Sequence, residues 1–419
     1  LLTWFFEVWN EPNIPNFYTT NQAEYFQKLY PTGFDSISVD VVGYCVAKCK
    51  YCPSGNDLSH AGSFISEVKY AAILAKLKKY KFYTKNTGFH IYGLGEPSIH
   101  PKLNEILKIT HKMGFTTNYS TNIIRVPKID KEGLKAVKHV IISMPGFSQE
   151  SYDKIHGFKF DLMIKNIKKL KKIFKNIPFD MSYHIYQFNL HEIEMAKKFC
   201  DENDIRFAPN YAVFFDKNRC LDYVNNRMPY EELKNMSKEL LLSVLDNQIK
   251  IAPRNYCDFQ ERYLSINVDG DIRICNSYTK NYEKNILCGN ILTDDIDKII
   301  KLKFSHPKCK VCKAAGLSIG KIYDCKVYPD FYYSLMKENS YIKGALKNSD
   351  FSKNKLSDEI KLLHQIRLWE QEQYSNKELS KLRTLIKPKS VPVNKIEDIV
   401  KKYCRFPEVT WKKIQKYIT

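Results

Sequence analysis

Three cysteines share one short stretch, Cys45-Val-Ala-Lys-Cys49-Lys-Tyr-Cys52. Three thiolates so close together can hold three irons of a cubane cluster. Ordinary [4Fe–4S] clusters take four Cys ligands, so such a loop leaves one iron open for a substrate or cofactor. The spacing also suits a zinc knuckle completed by a nearby His, a place His60 could take, or three ordinary buried thiols. A second group lies far downstream. Cys257 and Cys275 stand as Cys-x12-Gly270-x4-Cys, and Cys309-Lys-Val-Cys312 adds two more. Four thiolates make a complete site for zinc or for an iron–sulfur cluster, and the residues alone leave both open. Nine of the twelve cysteines fall within 45–52 and 257–325. With no secretory signal in view, such spacing favours metal over disulfides.

The elements that must position these thiols alternate. Strand-like runs occur at Ser36–Val42, Phe89–Gly93, Thr116–Ser120, His139–Ser143, Phe179–Tyr186 and Ile205–Val213. Helical patterns lie between them at Glu67–Lys79, Lys102–Met113, Lys131–Val137, Leu162–Phe174 and Leu190–Asn203. That rhythm predicts a parallel α/β sheet, open or closed into a partial barrel. A helix is expected over Tyr230–Leu245, leading out of the sheet. Asp269-Gly270-Asp271 between alternating runs in Glu261–Ser277 reads as a hairpin. Residues 241–327 are then a small metal-stapled unit, and 328–419 a basic helical extension with Ile360, Leu363, Ile366 and Leu368 near helical spacing, broken by Pro388 and Pro392.

Composition narrows the class. The 419 residues are 44% hydrophobic and 27% charged, as in a globular protein. No apolar run approaches the ~18 residues of a membrane-spanning helix, and the apolar opening Leu1–Phe6 lacks the basic flank and cleavage site of a signal peptide. A cytoplasmic protein is expected. Lys and Arg number 66 against 46 Asp and Glu, a net charge of +20. Solvated faces explain such a charge, and so does an anionic partner such as nucleic acid.

The first cysteine motif, with Tyr51 before its last Cys, resembles the hallmark of the radical S-adenosylmethionine (SAM) superfamily. Its companions follow in order. Gly93-Leu-Gly95-Glu96-Pro97 resembles the family's Gly-Gly-Glu-Pro stretch, with Leu94 in place of the second glycine; Ser120-Thr121-Asn122 and Ser143-Met-Pro-Gly146 end the next two strand runs. The resemblance covers about residues 36–215. It implies a partial (β/α)6 barrel over 31–240, a catalytic [4Fe–4S] cluster on Cys45, Cys49 and Cys52, and SAM chelating the open iron. Gly93, Gly95 and Glu96 would border the methionine moiety. Ser120, Asn122 and Ser143 would meet its carboxylate or ribose, with Tyr51, Tyr186 and Asn189 weaker candidates for the adenine edge. The implied chemistry is reductive cleavage of SAM to a 5′-deoxyadenosyl radical that takes hydrogen from a substrate, supported by an electron donor such as flavodoxin or ferredoxin.

The second group resembles the auxiliary SPASM domain of such enzymes and its shortened twitch form. Leu287-Cys288-Gly289-Asn290-Ile291 resembles a segment that follows the Cys-x12-Gly-x4-Cys element there. Ser318 stands where a two-cluster version has Cys. The resemblance therefore implies one auxiliary [4Fe–4S] cluster on Cys257, Cys275, Cys309 and Cys312. Cys288 and Cys325 are left over, with core the expectation for Cys288, and Cys200, Cys220 and Cys404 are read as structural.

Residues 3–30, with Trp9-Asn10-Glu11-Pro12, resemble the acid/base segment of retaining β-xylosidase-like glycosidases. No second carboxylate framework follows, so this 1–30 fragment is expected to hydrolyse nothing. The function expected is an oxidoreductase acting on a small, sugar-like molecule or a peptide. The alternatives are RNA modification, for which Lys78–Tyr83 and Lys159–Lys175 could hold phosphates, and a non-catalytic iron–sulfur or zinc protein. No catalytic acid or base can be singled out; Asp258, Asp324 and His184 are polar residues near the motifs.

Overall fold

The computed structural model describes residues 33–52, 54–55, 61–214, 216–225, scattered positions of 227–252, 257–278, 284–318 and, in the C-terminal part, 362, 366, 369, 376–386, 391–403 and 407–418. Residues 1–30, His60, Asp324, Cys325 and Cys404 lie outside the described residues.

Six strands are parallel: β1 (Ser36–Val39), β2 (Gly88–His90), β3 (Thr117–Thr121), β4 (Val137–Met144), β5 (Phe179–Ile185) and β6 (Arg206–Tyr211). The hairpin is present as β7 (Tyr263–Ile266) and β8 (Asp271–Arg273), followed by β9 (Leu287–Asn290), a strand that the sequence pattern does not announce. The hairpin does not stand apart. Strand β7 pairs in parallel with β1, giving one nine-stranded sheet of order β6-β5-β4-β3-β2-β1-β7-β8-β9. Its turn depends on Asn267, whose Oδ1 accepts the Asp269 and Asp271 N–H groups at 3.0 and 2.9 Å, and on Gly270 at φ +92°, a conformation that favours glycine.

Helices α1 (Glu67–Lys79), α2 (Leu103–Lys112), α3 (Lys131–Leu134), α4 (Gln149–Ile155), α5 (Phe160–Ile173) and α6 (Ile193–Glu202) form the crossovers. Helix α1 starts where Ser66 caps the Lys69 N–H and buries Tyr70, Ile73, Leu74 and Leu77 on one face, the spacing an amphipathic helix requires. These side chains join Ile37, Val39, Phe89, Val140, Ile142 and Met181 of the strands in one core. Helix α3 ends at Leu134, shorter than expected, because Val137 already pairs with Thr117 in the sheet. Helix α4 is an addition to the expected elements; Ser148 caps it through the Ser151 N–H. The run expected at Leu190–Asn203 opens as a 3-10 turn, Gln187–Glu192, before α6. Within Tyr230–Leu245, Lys238–Leu240 form a turn and bend rather than a continuous helix.

The opposite face of the sheet is polar. Register places Ser38, His90, Asn118 and His139 side by side, then Asp180 beside Arg206, Ser143 beside Ser182, and His184 beside Asn210. Asp180 receives Arg206 through two bonds, Nε–Oδ1 at 2.9 Å and Nη2–Oδ2 at 2.5 Å, and His139 Nε2 lies 3.0 Å from Oδ1. Both faces of a parallel sheet are ordinarily apolar. This one is apolar on the face the helices cover and largely polar on the other, the pattern of a partial barrel with a polar inner face.

Downstream follow α7 (Lys217–Val224), α8 (Asp258–Glu261), α9 (Ile296–Ser305) and α10 (Pro307–Ala314). The C-terminal α11 (Asn376–Ile386), α12 (Val393–Tyr403) and α13 (Pro407–Ile418) bury Leu382, Ile396, Val400 and Ile414 with Trp369 in a core of their own. The described helices of the extension therefore pack together as a unit. No helix among the described residues is long and apolar enough to cross a membrane.

One buried ion pair joins the barrel to the hairpin. Arg273 Nη2 bonds Asp40 Oδ2, with the two side chains 0% and 2% exposed, and Arg273 Nε donates to Ser265 Oγ at 3.0 Å. Breaking a buried pair leaves an uncompensated charge. Arg273→Met should therefore cost about 3–5 kcal/mol of stability, and Asp40→Asn combined with Arg273→Met should recover most of it, read by denaturant unfolding.

Candidate functional site

The first cysteine loop leaves the sheet after β1. An isolated bridge between Val42 and Phe64 closes its base, and the Gly43 and Ile65 N–H groups add bonds to Ser63 O and Val41 O at 2.9 and 3.0 Å. Cys49 and Cys52 are drawn together by a turn in which the Cys52 N–H donates to Cys49 O at 3.0 Å. Gly55 lies so close to the loop backbone that an added Cβ would sit 1.6 Å from Ala47 O.

The Gly-Leu-Gly-Glu-Pro turn packs directly against this loop. The Glu96 N–H donates to Tyr44 O at 3.0 Å. A Cβ on Gly95 would meet Val42 O at 1.8 Å, and one on Gly93 would meet Asp40 Oδ1 at 2.7 Å. The glycines that the resemblance assigns to SAM thus also let two strand-end loops touch. The Glu96 side chain turns inward. Oε1 accepts the Ser98 N–H at 2.9 Å and the Thr121 hydroxyl at 2.7 Å, while Oε2 accepts the Asn122 N–H at 2.7 Å. Burial raises its pKa above the usual carboxylate range, against the pull of those donors.

Asn122 in turn reaches the cysteines: its Nδ2 lies 3.4 Å from Cys45 Sγ, which also accepts the Ala47 N–H at 3.4 Å. Burial and the nearby Glu96 carboxylate push the Cys45 thiol up to about 12. Burial also raises Cys49, with Cys52 and Cys45 adding to the effect, and raises Cys52. Three partly buried thiols in such surroundings are a donor set whose protons a metal centre displaces. The set fits three corners of a [4Fe–4S] cluster.

Ser120 and Ser143 are half-buried on the polar inner face toward the strand ends, with Ser143 Oγ 3.4 Å from His184 Nε2. Tyr51 is held from outside the barrel: its hydroxyl donates to Glu239 Oε2 at 2.5 Å, and Lys50 Nζ contacts Glu239 Oε1 at 2.6 Å. Glu239 is fixed in turn by the Gln187 N–H, which donates to its carbonyl at 2.9 Å. The Tyr51 and Tyr186 rings lie 6.2 Å apart. Asn189 is fully buried, its Oδ1 accepting the Tyr186 N–H and its Nδ2 donating to Pro145 O and His184 O. That side chain braces the ends of β4 and β5, and the adenine-edge role suggested for it is not the one these bonds describe.

The second group also converges. Cys257, Cys275, Cys309 and Cys312 line one cavity, which Lys217 and Lys313 border as well. Burial raises the thiols of Cys275, Cys309 and Cys312, with neighbouring cysteines contributing, and takes Cys312 to about 12. Four thiols facing one space fit a four-thiolate centre. Cys288 is a core residue beside this space, and Cys200 and Cys220 are buried core thiols. None of the ten described cysteines is paired in a disulfide. Among the described residues no group of His, Cys, Asp and Glu gathers closely enough to grip a single metal ion.

Comparison with known proteins agrees with the motif. Residues 39–200 match the model of the radical SAM superfamily. This segment is a radical SAM domain. A curated relative, the S-adenosyl-L-methionine-dependent tRNA 4-demethylwyosine synthase of Methanocaldococcus jannaschii, is 35% identical over 92 residues, 22% of this chain and 29% of that protein. The chain thus matches under a third of that relative's length. Among solved structures, Streptococcus suis SuiB bound to precursor peptide SuiA is similar at 16% identity and TM-score 0.46, covering 75% of this chain and 79% of that one. BtrN in complex with AdoMet and 2-DOIA is similar at 13% and 0.38, covering 68% and 88%. Native anSMEcpe with bound AdoMet is similar at 17% and 0.43, covering 74% and 99%. The superfamily implies a [4Fe–4S] cluster and SAM, the pair that the first cysteine loop suits.

Sequence reasoning missed Glu239, the Asp40–Arg273 pair and Glu192, a buried acid that accepts the Ser151 hydroxyl at 2.8 Å behind the loop after β4. Nothing local marks them, since each works through a partner distant in sequence. The Glu96 clasp yields a prediction. Glu96→Gln turns one acceptor oxygen into an NH2 facing a donor, which should cost about 1–3 kcal/mol of stability. It should also loosen Asn122 from Cys45, measured as lower iron retention at the first site with the second unaffected.

Proposed function

We propose that this chain is a radical SAM oxidoreductase that takes hydrogen from a small polar molecule or a peptide, with an auxiliary [4Fe–4S] cluster on Cys257, Cys275, Cys309 and Cys312. The observation that carries the reading is the convergence of the cysteine loop, the Gly-Glu-Pro turn and the Asn122 strand end, tied through Glu96 to Tyr44, Thr121 and Asn122. Bound there, a [4Fe–4S] cluster supplies the electron that cleaves SAM to methionine and a 5′-deoxyadenosyl radical. The chain's own residues position and shield. Cys45, Cys49 and Cys52 hold three corners. Gly93 and Gly95 keep the neighbouring loop close, and the half-buried Ser120, Asn122 and Ser143 offer polar groups to the methionine carboxylate or the ribose. The Tyr51–Glu239 bond fastens the linker segment beside the loop and helps exclude water.

The polar interior supports a substrate rich in hydroxyl or amide groups. Ser182, His184 and Asn210 face it together, and Asn210 Nδ2 donates to Ser182 Oγ at 3.0 Å. An electron donor of the flavodoxin or ferredoxin kind is part of this reading, as is a cytoplasmic setting.

A second reading, modification of RNA, is favoured by a specific surface. On and beside α5, Lys159, Lys165, Lys168, Lys169, Lys172 and Lys175 are exposed, a row able to meet phosphates. The relative that matches part of this chain carries a tRNA-modifying activity in its name.

Anaerobic reconstitution tests both readings. The full chain should take up about eight irons and release 5′-deoxyadenosine from SAM after reduction. Cys52→Ala should abolish that cleavage, whereas Cys309→Ala should keep it with about half the iron. Deuterium appearing in 5′-deoxyadenosine from labelled sugar-like or peptide substrates, and not from tRNA, supports the first reading; the reverse supports the second. Zinc with SAM untouched would sink the enzyme altogether.

A further inference from the structure

Three lysines turn their ammonium groups into the neighbourhood of the four-cysteine cavity. Lys303 of α9 is fully buried, and its Nζ donates to Phe259 O at 3.0 Å and Ile274 O at 3.1 Å, backbone beside Cys257 and Cys275. Lys217, which opens α7, lines the cavity and donates to Leu317 O at 2.8 Å. Lys313, next to Cys312 in α10, lines it too and donates to Gln260 Oε1 at 2.9 Å. Burying an ammonium is costly unless a negative charge stands close by. Glu261 supplies part of that charge, chiefly to Lys313 and less to Lys303, while it accepts the Cys257 N–H at 3.4 Å. Asp216 caps α7 through the Arg219 N–H at 2.9 Å, and none of Asp216, Asp258 and Glu261 lines the cavity. With a cluster bound, the larger counter-charge for the other two lysines is its thiolate ligands: Lys217 shares the cavity lining with all four cysteines, and Lys303 is bonded to backbone two residues from Cys257 and one from Cys275.

The first centre is built the other way. A buried carboxylate, Glu96, stands near Cys45, and the loop's Lys50 is engaged with Glu239 at the surface. Hydrogen bonds to sulfur occur at both sites: Cys45 accepts from Ala47 and Asn122, and Cys275 from Ser277. The sign of the nearby charge is where they differ, and the reduction potential of an iron–sulfur cluster depends on it.

We propose that Lys217 and Lys303 form a fixed cationic cage that sets the auxiliary cluster at a higher reduction potential than the first cluster. The inference rests on the reading that the four cysteines hold [4Fe–4S]. With four thiolates, such a cluster carries about −2 when oxidised and about −3 after taking one electron. One buried positive charge, Lys303, and one half-buried charge on the cavity wall, Lys217, oppose the reduced state's added charge without any proton uptake. The second centre is thereby suited to accept an electron and the first, beside Glu96, to give one up. The lysines are positioning residues in this scheme, since neither touches the reacting substrate.

Electron paramagnetic resonance during a potentiometric titration of the reconstituted full chain tests the cage. The auxiliary signal should appear at higher potential than the first. Lys303→Met should lower the auxiliary midpoint so that, at a fixed potential, its reduced-to-oxidised ratio falls about tenfold or more, while the first cluster's midpoint holds still. Lys303→Arg should restore most of the shift. If Lys303→Met does not fold, Lys217→Met at the cavity wall must show the same displacement. A full iron complement with unmoved midpoints, or an auxiliary signal below the first, overturns the cage alone. Zinc in place of the auxiliary iron overturns the cluster reading and the cage with it, and metal analysis tells these failures apart.

Discussion

Asp40 carries more of this architecture than any cysteine. It sits at the end of β1, buried, where three pieces of chain meet. Its Oδ1 accepts the Leu94 N–H of the glycine turn at 3.0 Å, its Oδ2 takes Arg273 of the hairpin, and the chain runs on from it into the cysteine loop. Gly93 has to be a glycine beside that carboxylate, because a Cβ would crowd Oδ1. A charge in this setting stabilises little by itself, since desolvation takes back much of what attraction gives. What it fixes is geometry. Cys275 follows closely on Arg273 and Cys45 on Asp40, so one ion pair relates the two thiol groups through a short stretch of backbone on either side.

That relation explains why the hairpin is not a separate appendage. Strand β7 continues the barrel sheet by pairing with β1 from Ser36↔Tyr263 to Val39↔Ile266. Arg273 then reaches across from the next strand, and Tyr263 and Asn276 bond each other at 2.6 Å on the same inner face. The second cysteine group is carried on β7, β8 and the helices behind them, so the edge of the barrel that would otherwise be open is occupied by the wall of the second site.

Much of this could be read from residue order, and the limits have physical causes. Helix α1 matches the expected span because its start and its buried face are both local properties, an N-cap at Ser66 and apolar side chains at helical spacing. The cysteine motif, the strand rhythm and the Asp-Gly hairpin are equally local. The parallel seam between β1 and β7 is not, because its partners lie far apart in the chain and nothing in either segment names the other. Buried lysines are the harder case. Lys303 and Lys313 look like any solvated helix positions in a chain with a net charge of +20, and only the packing of α9 and α10 against the hairpin turns their ammonium groups inward. Glu239 is hidden for the same reason, since its partners Lys50 and Tyr51 lie far back in the chain.

The inner face of the sheet shows what the barrel is built to enclose. Asn118 is fully buried between neighbours on β2 and β4, yet its amide has no hydrogen-bond partner on either atom among the described residues. An amide left bare in a dry core costs roughly 1–3 kcal/mol, and buried polar groups in folded proteins find partners, commonly ordered water. Around Asn118 the register repeats the same choice on every strand, with Ser38, His90, His139, Asp180 and Ser182 where a packed parallel sheet would place Val or Ile. Chains that needed only a stable scaffold would lose by that choice. It is the choice of a face kept polar for what it binds, and the thiol loop, the Glu96 clasp and the serines Ser120 and Ser143 lie toward the ends of those same strands.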